Sequence, residues 1–179
     1  MVNLAKRSNY LQKTHNPVEY QLAHLEWLDH LATELPTLEP IMTDEKKLTG
    51  LTLLKKGETR YPTSPDEAKL ETIENSNQQR NYWITFETSE FTSICPITGQ
   101  PDFATIRVEY IPGELSVESK AFQLYLFSFR QTGTFYEEIV NRIYTDLDKT
   151  LKPRRLVVNG DFTARGGITS SVKIDSDEA

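Results

Sequence analysis

The chain has 179 residues, of which 37% are hydrophobic and 26% charged, and its formal net charge is −6 at pH 7. This length suits one domain with a sizeable core, and the acidic balance disfavours a broad nucleic-acid-binding surface. No apolar run is long enough for a membrane helix, and the residues after Met1 show no signal-peptide pattern. A single cysteine cannot form an internal disulfide, so we expect a cytoplasmic protein.

Residues 1–45 differ in residue pattern from the rest of the chain. We predict that they form an accessory helical leader ahead of a domain spanning 46–179. The leader's leucines recur at three-residue steps, which predicts an amphipathic helix that starts near Asn16. These are Leu22, Leu25, Leu28 and Leu31. The three histidines also lie in or next to this helix, at His15, His24 and His30. One cysteine and three helix-surface histidines do not make a usual zinc site, so we expect no bound metal.

Residues 46–80 are polar and predict loops with short extended pieces. Strand patterns begin after residue 80. The segment 81–87 alternates, and 103–111 alternates again before a turn at Pro112-Gly113. In this second segment one set of residues faces one way: Ala104, Ile106, Val108 and Tyr110. These two segments predict the first strands of a sheet.

The second half of the domain adds one long helix between further strands. We predict a third strand over 122–129, a helix over 133–151 that stops before Pro153, a fourth strand over 154–163 and an extended tail over 164–174. Such an order indicates an α+β domain with an antiparallel sheet. A sheet this small covers little of itself, so we expect its edges or open face to be covered by copies of the chain.

The only thiol is held between prolines, in "EFTSICPITGQPDFATI". Cys95 precedes Pro96, and Asp102 follows seven positions later. A thiolate is a nucleophile, and a neighbouring carboxyl group with a suitable pKa can move a proton for it. The same spacing also fits a buried structural cysteine beside a turn. No histidine follows Cys95, which argues against a papain-like Cys–His pair.

Four blocks in order make the sequence more specific than this pair of residues. They are "FTSICPITGQPDFATI", "VESKAFQLYLFSFR", "GTFYEE" and "FTARGG". Over roughly residues 50–170 the chain resembles the single-domain nitrile reductases of queuosine biosynthesis, the 7-cyano-7-deazaguanine reductases. The resemblance implies the tunnelling fold, an antiparallel sheet with helices on one face that several subunits close into a barrel. It also implies homo-oligomers with active sites at subunit interfaces.

The resemblance implies roles for individual residues. Cys95 matches the nucleophile that adds to the nitrile carbon and gives a thioimide, and Asp102 matches the proton donor to the nitrile nitrogen. The remaining substrate-binding residues implied are Val117, Glu118, Ser119, Tyr136 and Glu137, of which Glu137 anchors the deazaguanine base. NADPH is the implied cofactor, and its phosphates call for cations. The candidates are Lys120, Arg130 and Arg165.

Two positions depart from the family pattern and keep rival functions open. Tyr136 stands where the family has histidine, and Gln123 stands where its cofactor motif has a second lysine. A related group of enzymes forms the same thioimide and then adds ammonia to give an amidine without NADPH. A third reading is a non-catalytic deazaguanine-binding protein. A cyclohydrolase of the same fold is disfavoured, because its zinc ligands are absent from this sequence.

Overall fold

The computed structural model of the protein describes residues 51–53 and 59–178. The predicted leader helix lies outside these residues. The elements in chain order are β1 (Thr72–Glu74), β2 (Ile84–Ile94), β3 (Pro101–Ile111), β4 (Leu115–Val117), α1 (Ser119–Phe127), a 3-10 turn (Ser128–Gln131), α2 (Tyr136–Leu151), β5 (Arg155–Arg165) and β6 (Ile168–Asp175). None of the helices in the described residues is long and apolar enough to cross a membrane.

The main sheet has four antiparallel strands in the order β2-β3-β5-β6, and β1 pairs with β4 in a separate two-stranded sheet. The predicted inward row of β3 is confirmed, since Ala104, Ile106, Val108 and Tyr110 are all buried. The opposite face of the sheet is polar, with Arg107 bonded to Glu87 and Glu109. One face therefore carries the core, and the other is exposed in the single chain.

The long helix α2 covers the inward face, as its spacing predicts. Its buried positions are Ile139, Val140, Ile143, Leu147 and Leu151. The helix ends with Lys152 in the left-handed conformation at φ 45°, one residue before Pro153. Its packing on β5 is close at Gly160, where an added Cβ would lie 2.8 Å from Cγ2 of Val140.

The predicted third strand over 122–129 is wrong, because this segment forms α1 and the 3-10 turn. The alternating residues Phe122, Leu124 and Leu126 are buried, as a strand would require. Ala121, which precedes them, and Tyr125, which lies between two of them, are buried as well. A helix buried on more than one side reads as a continuous apolar run, which periodicity alone does not separate from a strand. The start of α1 is fixed by Glu118, whose side chain accepts hydrogen bonds from the backbone of Lys120 and Ala121.

Candidate active site

Cys95 lies in the hairpin turn that joins β2 to β3. Its N–H donates to the carbonyl oxygen of Gln100 at 2.9 Å, and its own carbonyl accepts from N–H of Gly99 at 2.9 Å. Gly99 has φ 68°, a conformation that favours glycine. The turn thus presents the thiol, which is half-buried, at the end of the sheet.

The turn also changes the acidity of the thiol. Hydrogen bonds from the side chain and backbone of Thr98, with smaller contributions from the backbone of Ile97 and from Arg165, lower the pKa of Cys95 from 9.0 to about 7. A substantial fraction of Cys95 is therefore thiolate at neutral pH. The sequence analysis missed Thr98, since its role depends on how the turn folds back on the sulfur.

Asp102 is buried at the start of β3, and two side chains bond to its Oδ1 atom. The hydroxyl of Tyr136 donates to Oδ1 at 2.8 Å, and the guanidinium of Arg165 is 2.6 Å from the same atom. Arg165 also interacts with Cys95, and this contact is the main cause that raises the pKa of Arg165. Cys95, Asp102, Tyr136 and Arg165 therefore form one group, which we call the Cys95 cluster.

Tyr136 reaches Asp102 because two features fix the start of α2. The N–H of Ile94 donates to Thr132 O, and Ile94 O accepts from the N–H of Thr134, each at 3.1 Å; the two bonds lie on either side of Gly133. The Tyr136 ring stacks on Phe162 of β5, with centroids 4.0 Å apart. Burial and the bond to Asp102 raise the pKa of Tyr136 above its usual value, so its hydroxyl stays a donor at neutral pH.

Arg165 was predicted as a phosphate ligand, and the structure places it against Asp102 and Cys95. The pairing of β5 with β6 shifts register between Phe162 and Arg165. Such an irregularity re-aims side chains, which is why strand alternation did not predict that Arg165 meets Asp102. A glycine hairpin, Gly166-Gly167, with φ 59° and 81°, then turns the chain into β6.

The other predicted residues lie in different places. Arg130 is exposed over the ring of Phe127, 4.3 Å from its centroid. With Ser119 and Gln123 it lines a cleft of about 220 Å³ between α1 and β2. Lys120 points elsewhere, because its ammonium donates to Leu53 O at 2.8 Å. The three predicted cofactor cations, Lys120, Arg130 and Arg165, are therefore not brought together within one chain.

The predicted substrate residues are also divided. Val117 and Glu118 are buried and Ser119 is exposed; the carboxylate of Glu118 is engaged as the cap of α1. Glu137 is exposed in the first turn of α2, directly after Tyr136. Glu137 is thus next to the Cys95 cluster along the chain, whereas the segment 117–119 follows the far end of β3.

The separation of these two groups follows from strand geometry. Val117 N donates to the hydroxyl of Tyr110, which lies eight residues along β3 from Asp102. At about 3.3 Å per residue the two strand positions are roughly 26 Å apart. One small molecule therefore does not touch Asp102 and Val117 of the same chain.

Comparison with known proteins identifies the family that the four sequence blocks predicted. Residues 101–179 match the family model described as QueF-like protein. Curated relatives named NADPH-dependent 7-cyano-7-deazaguanine reductase include those of Parabacteroides distasonis, 49% identical over 70% of this chain and 80% of the relative, and Porphyromonas gingivalis, 50% identical over 72% and 81%. The relative from Streptococcus thermophilus is 48% identical over 72% and 78%.

A solved structure supports the fold alone. The apo form of the archaeosine synthase QueF-Like is similar with a TM-score of 0.50 and 22% identity, over 52% of this chain and 92% of that one. The sequence relatives are far more similar, and the chain spans more than two thirds of their length. The chain therefore belongs to the family of the NADPH-dependent 7-cyano-7-deazaguanine reductases.

Proposed function

We propose that the protein is an NADPH-dependent reductase that converts the nitrile of 7-cyano-7-deazaguanine into an aminomethyl group, with Cys95 as nucleophile. The observation that carries this proposal is the Cys95 cluster, in which a thiol of lowered pKa and a buried carboxylate share one arginine. Relatives at about half identity carry that activity in their names. Each of these two observations supports the proposal.

Addition to the nitrile needs a sulfur anion and a proton. In the proposed step the Cys95–Asp102 pair supplies one proton: the sulfur bonds to the nitrile carbon, and that proton goes to the nitrile nitrogen. The product is a thioimide, and no further reactant is needed. Arg165 stabilises the negative charge on whichever partner has lost the proton, and Tyr136 holds the carboxylate by its Oδ1 atom.

NADPH, when bound, supplies one hydride to the thioimide and a second to the imine, so that two equivalents are consumed for each nitrile. Between the two reductions the carbon–sulfur bond would break, which leaves the imine and returns Cys95 as thiolate. The second reduction would take one proton at the nitrogen to give the amine. An imine exposed to water would hydrolyse, so the site must exclude water between the two steps. We assign the proton donor at the nitrogen to Asp102.

The cleft beside α1 suits part of a dinucleotide. Arg130 offers an exposed cation for a phosphate, and the cleft has an apolar floor that includes Phe122 and Phe127. Its volume of about 220 Å³ is below the roughly 300–1,000 Å³ of ordinary ligand sites, so the cleft of one chain holds only part of the cofactor. Lys120 is the further cation that we assign to NADPH, whereas Arg165, also predicted from the sequence as a cofactor ligand, is engaged by Asp102 and Cys95.

We infer that the complete site forms between copies of the chain. The distance between Asp102 and Val117 within one chain supports this, because a single substrate requires both groups. Copies arranged side by side would bring the Val117–Ser119 segment of one chain towards the Cys95 cluster of another and would close the sheets into the barrel of the tunnelling fold. Glu137 is then the carboxylate that accepts the ring N–H and amino group of the base.

Specific observations favour the reductase over two rival functions. The amidine-forming alternative shares the thioimide, and the solved relative named archaeosine synthase has the same fold at 22% identity. The reductases are about twice as similar in sequence, which favours NADPH. A non-catalytic base-binding protein has no need for a thiol whose pKa is lowered to about 7.

The deciding experiment supplies the protein with 7-cyano-7-deazaguanine, NADPH and ammonium together. We expect the aminomethyl product by mass spectrometry, about two NADPH consumed per nitrile, and a covalent adduct on intact protein that is absent in Cys95→Ala. An amidine product with NADPH unchanged would establish the transferase instead. If the protein forms neither a product nor an adduct, the result would support a non-catalytic binding protein. The leader, residues 1–45, is proposed to be dispensable for adduct formation.

A further inference from the structure

Glu71 is a buried carboxylate outside the Cys95 cluster, only 4% exposed, and neither the resemblance nor the proposed mechanism gives it a role. It lies immediately before β1. Its side chain accepts from the N–H of Thr52 with both oxygens at 3.0 Å, from the Thr52 hydroxyl, and from Leu53 N at 3.3 Å. We call residues Leu51–Leu53 the strap.

The same residue also holds the start of α1 through its backbone. The carbonyl oxygen of Glu71 accepts from N–H of Glu118 at 2.9 Å. The Glu118 carboxylate in turn accepts from N–H of Lys120 at 3.0 Å. Glu71 is therefore bonded to the strap by its side chain and to the Glu118–Lys120 segment by its main chain.

Lys120 closes these contacts into a ring. Its ammonium donates to the carbonyl oxygen of Leu53 in the strap at 2.8 Å, and the amide of Leu53 returns to Glu71. A lysine side chain has several rotatable bonds, and fixing it costs up to about 2 kcal/mol of rotamer entropy. The ring makes that ordering part of the fold. Leu53 O is the acceptor of this ammonium among the residues that the structure describes, and an ammonium has three protons to donate.

We propose that Glu71 is a positioning residue for the cofactor site, acting through the strap to set the ammonium of Lys120 where it meets an anionic group of NADPH. This inference rests on the proposed cofactor role of Lys120. Glu71 touches neither substrate nor cofactor. Its carboxylate fits the task because it is surrounded by donors of Thr52, Leu53 and Lys69, and a carboxylate accepts without donating.

Glu71→Gln tests the ring with little change in shape. The amide NH₂ would face the N–H groups of Thr52 and Leu53, so the strap should detach and release Lys120. We expect the KM for NADPH to rise on the order of ten-fold, as when a hydrogen bond to a charged group is lost, with kcat and the Cys95 adduct unchanged. We also expect acylation of Lys120 by acetic anhydride, followed by peptide mass spectrometry, to become several-fold faster.

Asp175→Asn is the matched control. Asp175 is also a buried carboxylate, 7% exposed, and it accepts from Asp177 N and from Arg155 at the end of β6, an edge strand of the main sheet. This variant should lower thermal stability without changing the NADPH KM or Lys120 acylation. Thr52→Val removes one donor of the ring and should shift both readouts in the direction of Glu71→Gln, which keeps the test decisive if Glu71→Gln does not fold.

The outcomes separate this inference from the proposed function. If Lys120→Ala raises the NADPH KM but Glu71→Gln and Thr52→Val leave it at the wild-type value, Glu71 has no positioning role. If Lys120→Ala is itself silent in an active reductase, the cofactor role of Lys120 and this inference are both overturned. A drop in adduct formation parallel to the KM change would show that Glu71 only supports folding.

Discussion

At the scale of single residues, the Cys95 cluster is built from groups that each alter the charge of a neighbour. Arg165 contacts both Asp102 and Cys95, and Tyr136 bonds to the same Oδ1 atom of Asp102 that Arg165 approaches. With Oδ1 held by two donors, Oδ2 is the oxygen of Asp102 to which we assign the proposed proton transfer. Small changes around the cluster should therefore appear as changes in titration.

The first prediction concerns the thiol. Since hydrogen bonds from Thr98 are the main cause that lowers the pKa of Cys95 to about 7, the rate of alkylation by iodoacetamide should rise with a midpoint near pH 7. Thr98→Val removes the hydroxyl and should move that midpoint upwards, towards 9. The conservative variant Thr98→Ser should retain the wild-type midpoint. A midpoint near 9 in the wild type would contradict the hydrogen-bonded turn.

A second residue-scale prediction concerns base recognition. Glu137→Gln replaces one acceptor oxygen by a donor, and it should weaken binding of the deazaguanine by about 2–4 kcal/mol in calorimetry. Glu138→Gln is the control, because both glutamates are exposed in the first turn of α2. Both carboxylates also interact favourably with the positive end of the helix dipole. Equal losses in the two variants would remove Glu137 from the site.

At the scale of elements, the contact of α2 with the sheet decides where Tyr136 and Glu137 stand. This contact is tight, since a Cβ at Gly160 would lie 2.8 Å from Cγ2 of Val140 and 3.2 Å from Cδ1 of Ile106. Glycine at position 160 allows the close approach of helix to strand. The location of the candidate site therefore depends on one small residue in β5.

Gly160→Ala should accordingly destabilise the fold by about 1–3 kcal/mol through overpacking. The double variant Gly160→Ala with Val140→Ala should be less unstable than the sum of the two single changes, because removing the methyl groups of Val140 makes room for the new Cβ. Denaturant unfolding of the four proteins measures this coupling. Additive free energies of unfolding would show that the two residues are not in contact.

At the scale of the whole molecule, the Cys95 cluster and Lys120 lie apart in the single chain, which motivates the proposal that sites form between copies. Asp102 lies near the start of β3, whereas Lys120 follows β4, which comes after the other end of β3. If copies share sites, Cys95→Ala and Lys120→Ala should complement each other. Mixed oligomers, refolded together in equal amounts and assayed at low NADPH, should regain up to about one quarter of the wild-type activity, since random pairing makes one site in four intact.

The control is the same mixture assayed after the two variants are folded separately and combined without exchange, which should stay inactive. Recovery without exchange would mean that the activity does not come from shared sites. A mixed oligomer that stays inactive would place Cys95 and Lys120 of the same chain in one site. That result would contradict the interface proposal, although the fold of the single chain would be unaffected.

The sequence by itself determined the family, most of the sheet and the long helix. Four ordered blocks identified the relatives, and the alternation of β3 and the spacing of α2 were confirmed by burial. These features depend on local periodicity, which a linear sequence records directly. The segment 122–129 failed because a helix buried on several sides loses its periodic pattern.

Only the tertiary structure decided which predicted residues meet. It joined Arg165 to Asp102, because a register shift in β5 re-aims the arginine, and it placed Thr98 against Cys95 through a turn. It also separated Lys120, Arg130 and Arg165, which the sequence analysis had grouped by charge alone. Charge is a property of a residue, whereas proximity between distant residues depends on strand register and helix packing, which local sequence patterns do not encode.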